Sequence, residues 1–392
     1  MTGAVPPPRV AVIGANGHGR WHRRVIAPLH ADGRLRLVAL VDVRPLEDDP
    51  AAPVPPGVEV FSDHHAMLAA ARPEVVVICT PPHTHLPIAR DALAAGADLL
   101  LEKPPVLSLA EHEELTGALA ATGRVAQVGF QALGSAALTA LTDALAAGRL
   151  GTVTGIATVA AWQRPDAYYA RSAWAGRRTL HGRPVLDGAL ANPLAHAVMQ
   201  CLAVAEALGG APPWPLAIEV ERYRVRPIEV EDTAVLRVRF RAGPPVLAAV
   251  TLAAEEFVAG EVVVTGTTGR AVLEYPTDRL RLPGDVVTRR VPGRLGLLEN
   301  LLAHRADPAG VPLIAPLART APFTALLDAL RAAPDPRLLD GDLVTAVGDG
   351  GARTRHLRGV VPLLREAAER GALPSEWGVP WAVPAYRAEL AG

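Results

Sequence analysis

Six short apolar runs recur through the first 130 residues: Arg9–Ile13, Leu35–Val43, Val58–Phe61, Glu74–Thr80, Asp98–Leu101 and Val125–Phe130. None alternates polar with apolar, and helical patterns stand between most of them, over 20–30, 63–71, 86–95 and 108–123. A strand without alternation is buried on both faces, and a strand followed by a helix returns parallel to its predecessor. This pattern predicts an α/β Rossmann domain, a doubly wound parallel sheet whose ligand lies at the carboxyl ends of the strands. Ser108, with Glu111 three residues on, predicts a capping box at the start of the last helix.

After Gly134 the pattern changes. A helix over 135–147 leads to a strand over 152–160, a polar and aromatic stretch to His181, and an apolar helical pattern from Asp187 to Leu208. Strand patterns follow from Leu216 to Val291. Leu236, Val238 and Phe240 alternate there with Arg237, Arg239 and Arg241, which predicts a sheet with one buried and one charged face. Helical patterns return over 295–304, 322–331 and 360–370. A chain of 392 residues suits two domains. The expected division is a Rossmann domain over 1–132 and an α+β substrate and oligomerisation domain over 133–392, built on a large, mostly antiparallel open sheet.

Composition narrows the partners. The formal net charge is −1, with basic and acidic residues spread along the chain. Nucleic acid and anionic membranes need a concentrated basic surface, so neither is expected. No apolar run is long enough to span a bilayer. The two cysteines, Cys79 and Cys201, form no disulfide framework, and no signal peptide is visible, so a cytoplasmic protein is expected. The twelve histidines show no zinc-ligand spacing, and no metal is expected.

The turn Gly14-Ala15-Asn16-Gly17-His18-Gly19 joins the first strand to the first helix. Gly14 permits the tight turn, Gly17 and the short Asn16 let backbone amides approach a pyrophosphate, and Gly19 lets the helix pack closely. Together with His18 these residues are the expected phosphate site. Asp42 closes the second strand, where an acid accepts hydrogen bonds from the adenosine ribose. It would repel a 2′-phosphate, so NAD is expected over NADP, although Arg44 nearby keeps NADP open. Thr80 and Pro81 end the fourth strand near the expected nicotinamide ribose. His85 opens the next helix, as a cofactor neighbour or as a local helix-start residue.

Of 39 basic residues, 38 are arginine; the one lysine is Lys103, in Glu102-Lys103-Pro104 at the end of the fifth strand. Arginine does not give up a proton near neutral pH, whereas lysine does when its pKa is lowered. Oxidation of a carbinol needs a base for the hydroxyl proton while hydride leaves carbon, and Lys103 is placed for that role.

The Gly-rich turn, Asp42, Cys79-Thr80-Pro81-Pro82-His83-Thr84-His85 and Glu102-Lys103-Pro104, in this order, resemble the glucose–fructose oxidoreductase / inositol dehydrogenase (Gfo/Idh/MocA) family. The likeness extends over nearly the whole chain. It implies an NAD(P)-dependent dehydrogenase or reductase acting on a sugar, polyol or related carbinol. It also implies that Glu102 and Lys103 border the nicotinamide, that Lys103 is catalytic, and that the open sheet face mediates homo-oligomers. The family's helix with Asp and, four residues on, His matches Asn192 and His196 here, so the acid is replaced by an amide. Asn192 and His196 are then expected on one helix face toward substrate. Tyr168, Trp174 and Arg177 lie in the aromatic stretch and suit a sugar-like ligand, or else pack on one another. Two further readings stand beside the dehydrogenase: a non-redox lyase or glycosidase that retains NAD, and a non-catalytic NAD-binding regulator.

Overall fold

The computed structural model describes residues 6–390. The chain forms two compact units, the first running to Gly129 and taking in Gly296–Ala318, the second formed by Phe130–Leu295 and the chain from Arg319 onward.

The first unit is built from β1 (Arg9–Ile13), α1 (Gly19–Ala31), β2 (Arg36–Val41), β3 (Glu59–Phe61), α2 (His64–Ala71), β4 (Val75–Ile78), α3 (His85–Ala94), β5 (Asp98–Leu101), α4 (Leu109–Thr122) and β6 (Ala126–Val128). The strands pair in parallel in the order β3-β2-β1-β4-β5-β6, which makes the doubly wound parallel sheet expected from the sequence. The strand order reverses between β1 and β4, so their carboxyl ends flank a crevice. All of β4 and β5 is buried, as unalternating strands require. Ser108 Oγ accepts the Glu111 N–H at 3.2 Å, while the Glu111 carboxylate accepts the N–H of Leu107 at 2.9 Å, one residue before the expected partner.

The second unit contains α5 (Ala136–Ala146), β7 (Val153–Gln163), a helical turn α6 (Asp166–Tyr169), a small hairpin of β8 (Thr179–Leu180) and β9 (Arg183–Pro184), and α7 (Ala195–Gly209). Strands β10 (Pro215–Arg224), β11 (Thr233–Phe240), β12 (Val246–Thr251), β13 (Ala253–Gly266), β14 (Gly269–Glu274), β15 (Arg279–Arg281) and β16 (Arg289–Arg290) follow. The chain then re-enters the first unit as α8 (Leu297–Ala306). Leu297, Leu298 and Leu301 of α8 join Val10, Val12 and Leu100 in the Rossmann core. Ala315 receives the N–H of Val128 at 2.8 Å and donates its own N–H to Gln127 Oε1 at 2.7 Å. A single boundary after residue 132 therefore does not separate the two cores.

Back in the second unit come α9 (Ala321–Ala332), β17 (Arg337–Leu338), a hairpin of β18 (Val344–Val347) and β19 (Thr354–Leu357), α10 (Val360–Arg370) and β20 (Tyr386–Glu389). The main sheet runs β16-β15-β14-β13-β7-β12-β11-β10-β17, with β20 also beside β10. It is mostly antiparallel; β7 with β12 and β10 with β17 are parallel. The sheet stays open-ended, as expected, but its second face does not. All of β12 and the centre of β7 are buried on both sides. Ala157, Val159, Leu247 and Ala249 on that face form one cluster with Val360, Val361 and Leu364 of α10. The face expected to be charged and to meet a second subunit is covered by the chain itself.

Candidate active site

The turn after β1 shows why glycine stands where it does. Gly14 has φ +85°, and a Cβ there would lie 2.5 Å from the carbonyl oxygen of Cys79, at the end of β4. A Cβ on Gly19 would lie 1.9 Å from the carbonyl oxygen of Gly14. Gly17, at φ +55°, faces open space. The N-terminus of α1 has no side-chain cap and no acidic residue in its first turn, so its positive end is left for an anion. These features fit the pyrophosphate of a dinucleotide.

Asn16 has a structural role of its own. Its side chain is buried, donates to Pro45 O at 3.0 Å and accepts the N–H of Glu47 at 2.7 Å, bracing the loop after β2. Its backbone N–H donates to Asp42 Oδ2 at 2.9 Å, and Arg44 N–H donates to Asp42 Oδ1 at 3.0 Å. The carboxylate thus sits against the turn, with lone pairs left over for ribose hydroxyls. The Arg44 guanidinium is largely exposed, 3.6 Å from Glu47 and 3.9 Å from Asp42.

The loops after β4 and β5 are latched together. His85 is buried, with Nε2 2.8 Å from Thr80 O and Nδ1 2.9 Å from Pro104 O. Burial pushes its pKa down, against the pull of those carbonyls. His85 therefore positions both loops from inside the unit. Thr80 is partly buried, and its Oγ1 accepts the Thr84 hydroxyl at 2.7 Å. Pro81 is likewise partly buried, and its carbonyl accepts the same hydroxyl at 2.7 Å.

Glu102 lies at the end of β5 and is 5% exposed. Its carboxylate contacts His22 Nε2 at 2.9 Å and His18 Nε2 at 3.6 Å, and accepts the Lys103 N–H at 3.1 Å. Burial alone would push this acid up; the adjacent His18 imidazole and the hydrogen-bonded His22 outweigh it and hold the carboxyl well below the usual range. A Cβ on Gly129 would meet the same carboxylate at 2.8 Å, so glycine there makes the room. His22 and Gly129 were not singled out from sequence. The available signal was a histidine among the buried positions of α1, beside Gly19, Arg23, Ile26 and Leu29. His18, His22 and Glu102 bring three ligand-type atoms within 4.8 Å of one another, as do Asp63, His64 and His65. In the first group His22 and Glu102 already satisfy each other directly.

In the second unit the matched acid position is resolved differently from expectation. The pattern from 187 is not one helix: α7 begins at Ala195, and residues 188–194 are wound as turns. Pro193 supplies no N–H, and the neighbouring bonds are irregular, Leu194 N–H to Ala189 O and Ala195 N–H to Asn192 O. Asn192 thus precedes the helix that carries His196. Its Nδ2 donates to Asp187 Oδ1 at 2.6 Å. The buried Asp187 also accepts from Arg171 Nη2 on both of its oxygens, at 3.1 and 2.9 Å, and from Gly176 N–H at 2.8 Å. Its charge is spent on these partners, and it orients the Asn192 amide. His196 is partly buried and meets Phe130 edge-on at 5.8 Å.

Asn192→Asp would set two carboxylates at hydrogen-bond distance, and one of them must then take up a proton. A carboxyl whose folded pKa is raised stabilises below its unfolded pKa and loses that contribution as pH rises through the folded value. The variant is therefore expected to lose about 2–3 kcal/mol near pH 8, the worth of one charge-assisted hydrogen bond plus repulsion. Melting at pH 8 and pH 4.5 checks this; a deficit that does not shrink at low pH refutes it.

The aromatic stretch packs largely on its own arginines. The Tyr168 ring has the Arg171 guanidinium 3.8 Å from its centroid and that of Arg164 at 5.0 Å; Arg171 also lies 4.7 Å from Trp174. Arg177 pairs with Glu229 at 3.1 Å. Tyr168 and Trp174 thus pack on arginines of the same stretch, whereas Arg177 turns to Glu229.

Residues 8–130 match the family model described as oxidoreductase family, NAD-binding Rossmann fold (GFO_IDH_MocA). Over 125 residues the chain is 33% identical to D-glucoside 3-dehydrogenase of Escherichia coli K12, covering 32% of this chain and 35% of that protein. Over 143 residues it is 31% identical to inositol 2-dehydrogenase of Rubrobacter xylanophilus, covering 36% and 40%. The aligned part thus spans little more than a third of these relatives. Among solved structures, the WlbA dehydrogenase from Bordetella pertussis, in complex with NADH and UDP-GlcNAcA, superposes with a TM-score of 0.68 at 23% identity, over 85% of this chain and 100% of that one. An inositol dehydrogenase homolog from Azotobacter vinelandii, complexed with NAD+, gives 0.65 at 18%, over 85% and 98%. At these identities the superpositions speak for the fold.

Proposed function

We propose that the chain, whose residues 8–130 match the NAD-binding Rossmann model of the Gfo/Idh/MocA oxidoreductase family, is an NAD-dependent dehydrogenase acting on a CH–OH group of a sugar, polyol or related small molecule. The observation that carries this reading is the sole lysine of the chain at the carboxyl end of β5. The bound nicotinamide would supply the hydride acceptor. The turn Gly14–Gly19 and the start of α1 hold the pyrophosphate, and Asp42 takes the ribose hydroxyls. Lys103 removes the hydroxyl proton in oxidation and returns it in reduction. Glu102, fixed as a carboxylate by His18 and His22, anchors the backbone that carries Lys103. Asn192 and His196 are assigned to substrate hydroxyls on their donor and acceptor chemistry.

The test is NADH absorbance followed against a panel of polyols, aldoses, lactones and acid sugars, with any copurifying dinucleotide identified first. Retained cofactor without net NADH change on every carbinol would replace this reading with the non-redox one. The same preparation is expected to bind NAD(H) at least about tenfold more tightly than NADP(H), a difference of about 1.4 kcal/mol, since the Asp42 carboxylate would repel a 2′-phosphate. Titration of both cofactors measures it, and an NADP(H) preference would move the recognition role to Arg44.

A further inference from the structure

The sheet of the second unit offers two surfaces that a second subunit could use: a largely apolar face and the strand β10 near its edge. Both are taken by the last seventh of the same chain. On the face, Leu339, Leu357, Val360, Leu364, Ala367 and Leu373 are at most 3% exposed against the strands. At the edge, β20 pairs antiparallel with β10 from Ala217 to Val220, and β17 pairs parallel with Tyr223 and Arg224. An edge strand paired along both halves offers little backbone for a second chain to extend.

Polar contacts fix this covering segment in register. Arg237 of β11 holds Glu376 at 2.5 and 2.8 Å while also contacting Glu219 at 2.7 Å. Arg365 of α10 forms a fork with Glu261 of β13 at 2.8 and 3.2 Å. The buried Glu221 accepts both the N–H and the hydroxyl of Ser375, at 3.0 and 2.6 Å. The Tyr223 hydroxyl accepts the N–H of Val383 at 3.3 Å. The outward side of α10 is Pro362, Arg365, Glu366, Glu369 and Arg370, all exposed. Charged residues of this kind are depleted from the cores of interfaces and suit a surface that ends in solvent.

We propose that residues 337–390 are a built-in occupant of this sheet face and of its β10 edge, taking the place of a second copy of the chain. The face joins no subunits in the intact protein, and any association of the chain uses other surfaces. This inference is independent of the catalytic reading.

The test is hydrogen exchange of the intact chain at roughly 1 and 100 µM, a range over which a dimer of micromolar Kd changes its occupancy. Amides of β7, β12 and α10 are expected to show the same protection at both concentrations. Protection there that rises with concentration overturns the proposal, because a second copy would then be closing the face. Val361→Asp combined with Leu364→Asp, two buried positions of α10, supplies the second arm. In the folded variant, protection of β7 and β12 is expected to fall at least about tenfold, and sedimentation to show a mass above that of the intact chain. A folded variant with unchanged β7 and β12 protection also overturns it. If the variant does not fold, the concentration series on the intact chain still decides.

Discussion

Lys103→Met is expected to lower turnover about 10²–10⁴-fold, the usual worth of a positioned acid/base group, with dinucleotide Kd changed by no more than about twofold. Methionine keeps the length and apolar stem of lysine but carries no proton. The backbone N–H of residue 103, which ties the loop to Glu102 at 3.1 Å, is untouched by the change. The β5 end and the Glu102 pocket should therefore persist, and melting should be close to that of the parent. Lys103→Arg separates the two things lysine offers. Arginine retains the positive charge but does not cycle its proton near neutral pH. If Lys103 acts by proton transfer, both variants lose turnover alike. If it acts only as a fixed charge, the arginine variant recovers a large part. Near-normal turnover in Lys103→Met would remove this residue from the chemistry altogether.

The Rossmann unit was legible because its code is local. Burial on both faces makes β1, β4 and β5 continuous apolar runs, and two of the helices announce their own start, at Asp63, whose carboxylate accepts the Ala66 N–H, and at Ser108. The glycine turn was legible for a related reason: close backbone approach dictates glycine at positions 14 and 19. What failed was everything that depends on a distant partner. The stripe of Leu297, Leu298 and Leu301 is an ordinary helix face, and nothing local says it completes the first core. The arginines of β11 read as a solvent face because Glu219 and Glu376, which accept from Arg237, lie 18 and 139 residues away. Asn192 was read as a helical residue because the apolar pattern runs unbroken through the turns of 188–194. His22 went unmarked because its meaning comes only from Glu102, 80 residues on.

Gly19→Ala sets helix propensity against packing, and packing is expected to win. Inside a helix, alanine is favoured over glycine by up to about 1 kcal/mol. Here its Cβ would stand 1.9 Å from the Gly14 carbonyl oxygen, where real Cβ contacts do not fall below 3.0 Å. The gap to be opened is thus at least 1.1 Å (3.0 − 1.9), and both partners are backbone, with no side chain to swing aside. The start of α1 must move away from the Gly14–Gly17 turn, while Ile26 and Leu29 farther along the helix stay buried in the core. Such overpacking costs about 1–3 kcal/mol of stability. The amides at the helix start also leave the position from which they meet a phosphate, and each charge-assisted hydrogen bond lost weakens binding by about 1.5–3 kcal/mol. NAD affinity should therefore fall at least about tenfold to a hundredfold, which titration calorimetry reads directly. Gly17→Ala is the control, because its Cβ meets nothing within 4 Å and only its φ of +55° is unfavourable. It should cost the fold about 1–2 kcal/mol, the left-handed penalty for one residue, without displacing α1. Wild-type affinity for NAD in Gly19→Ala would mean that the start of α1 is not where the dinucleotide phosphates bind.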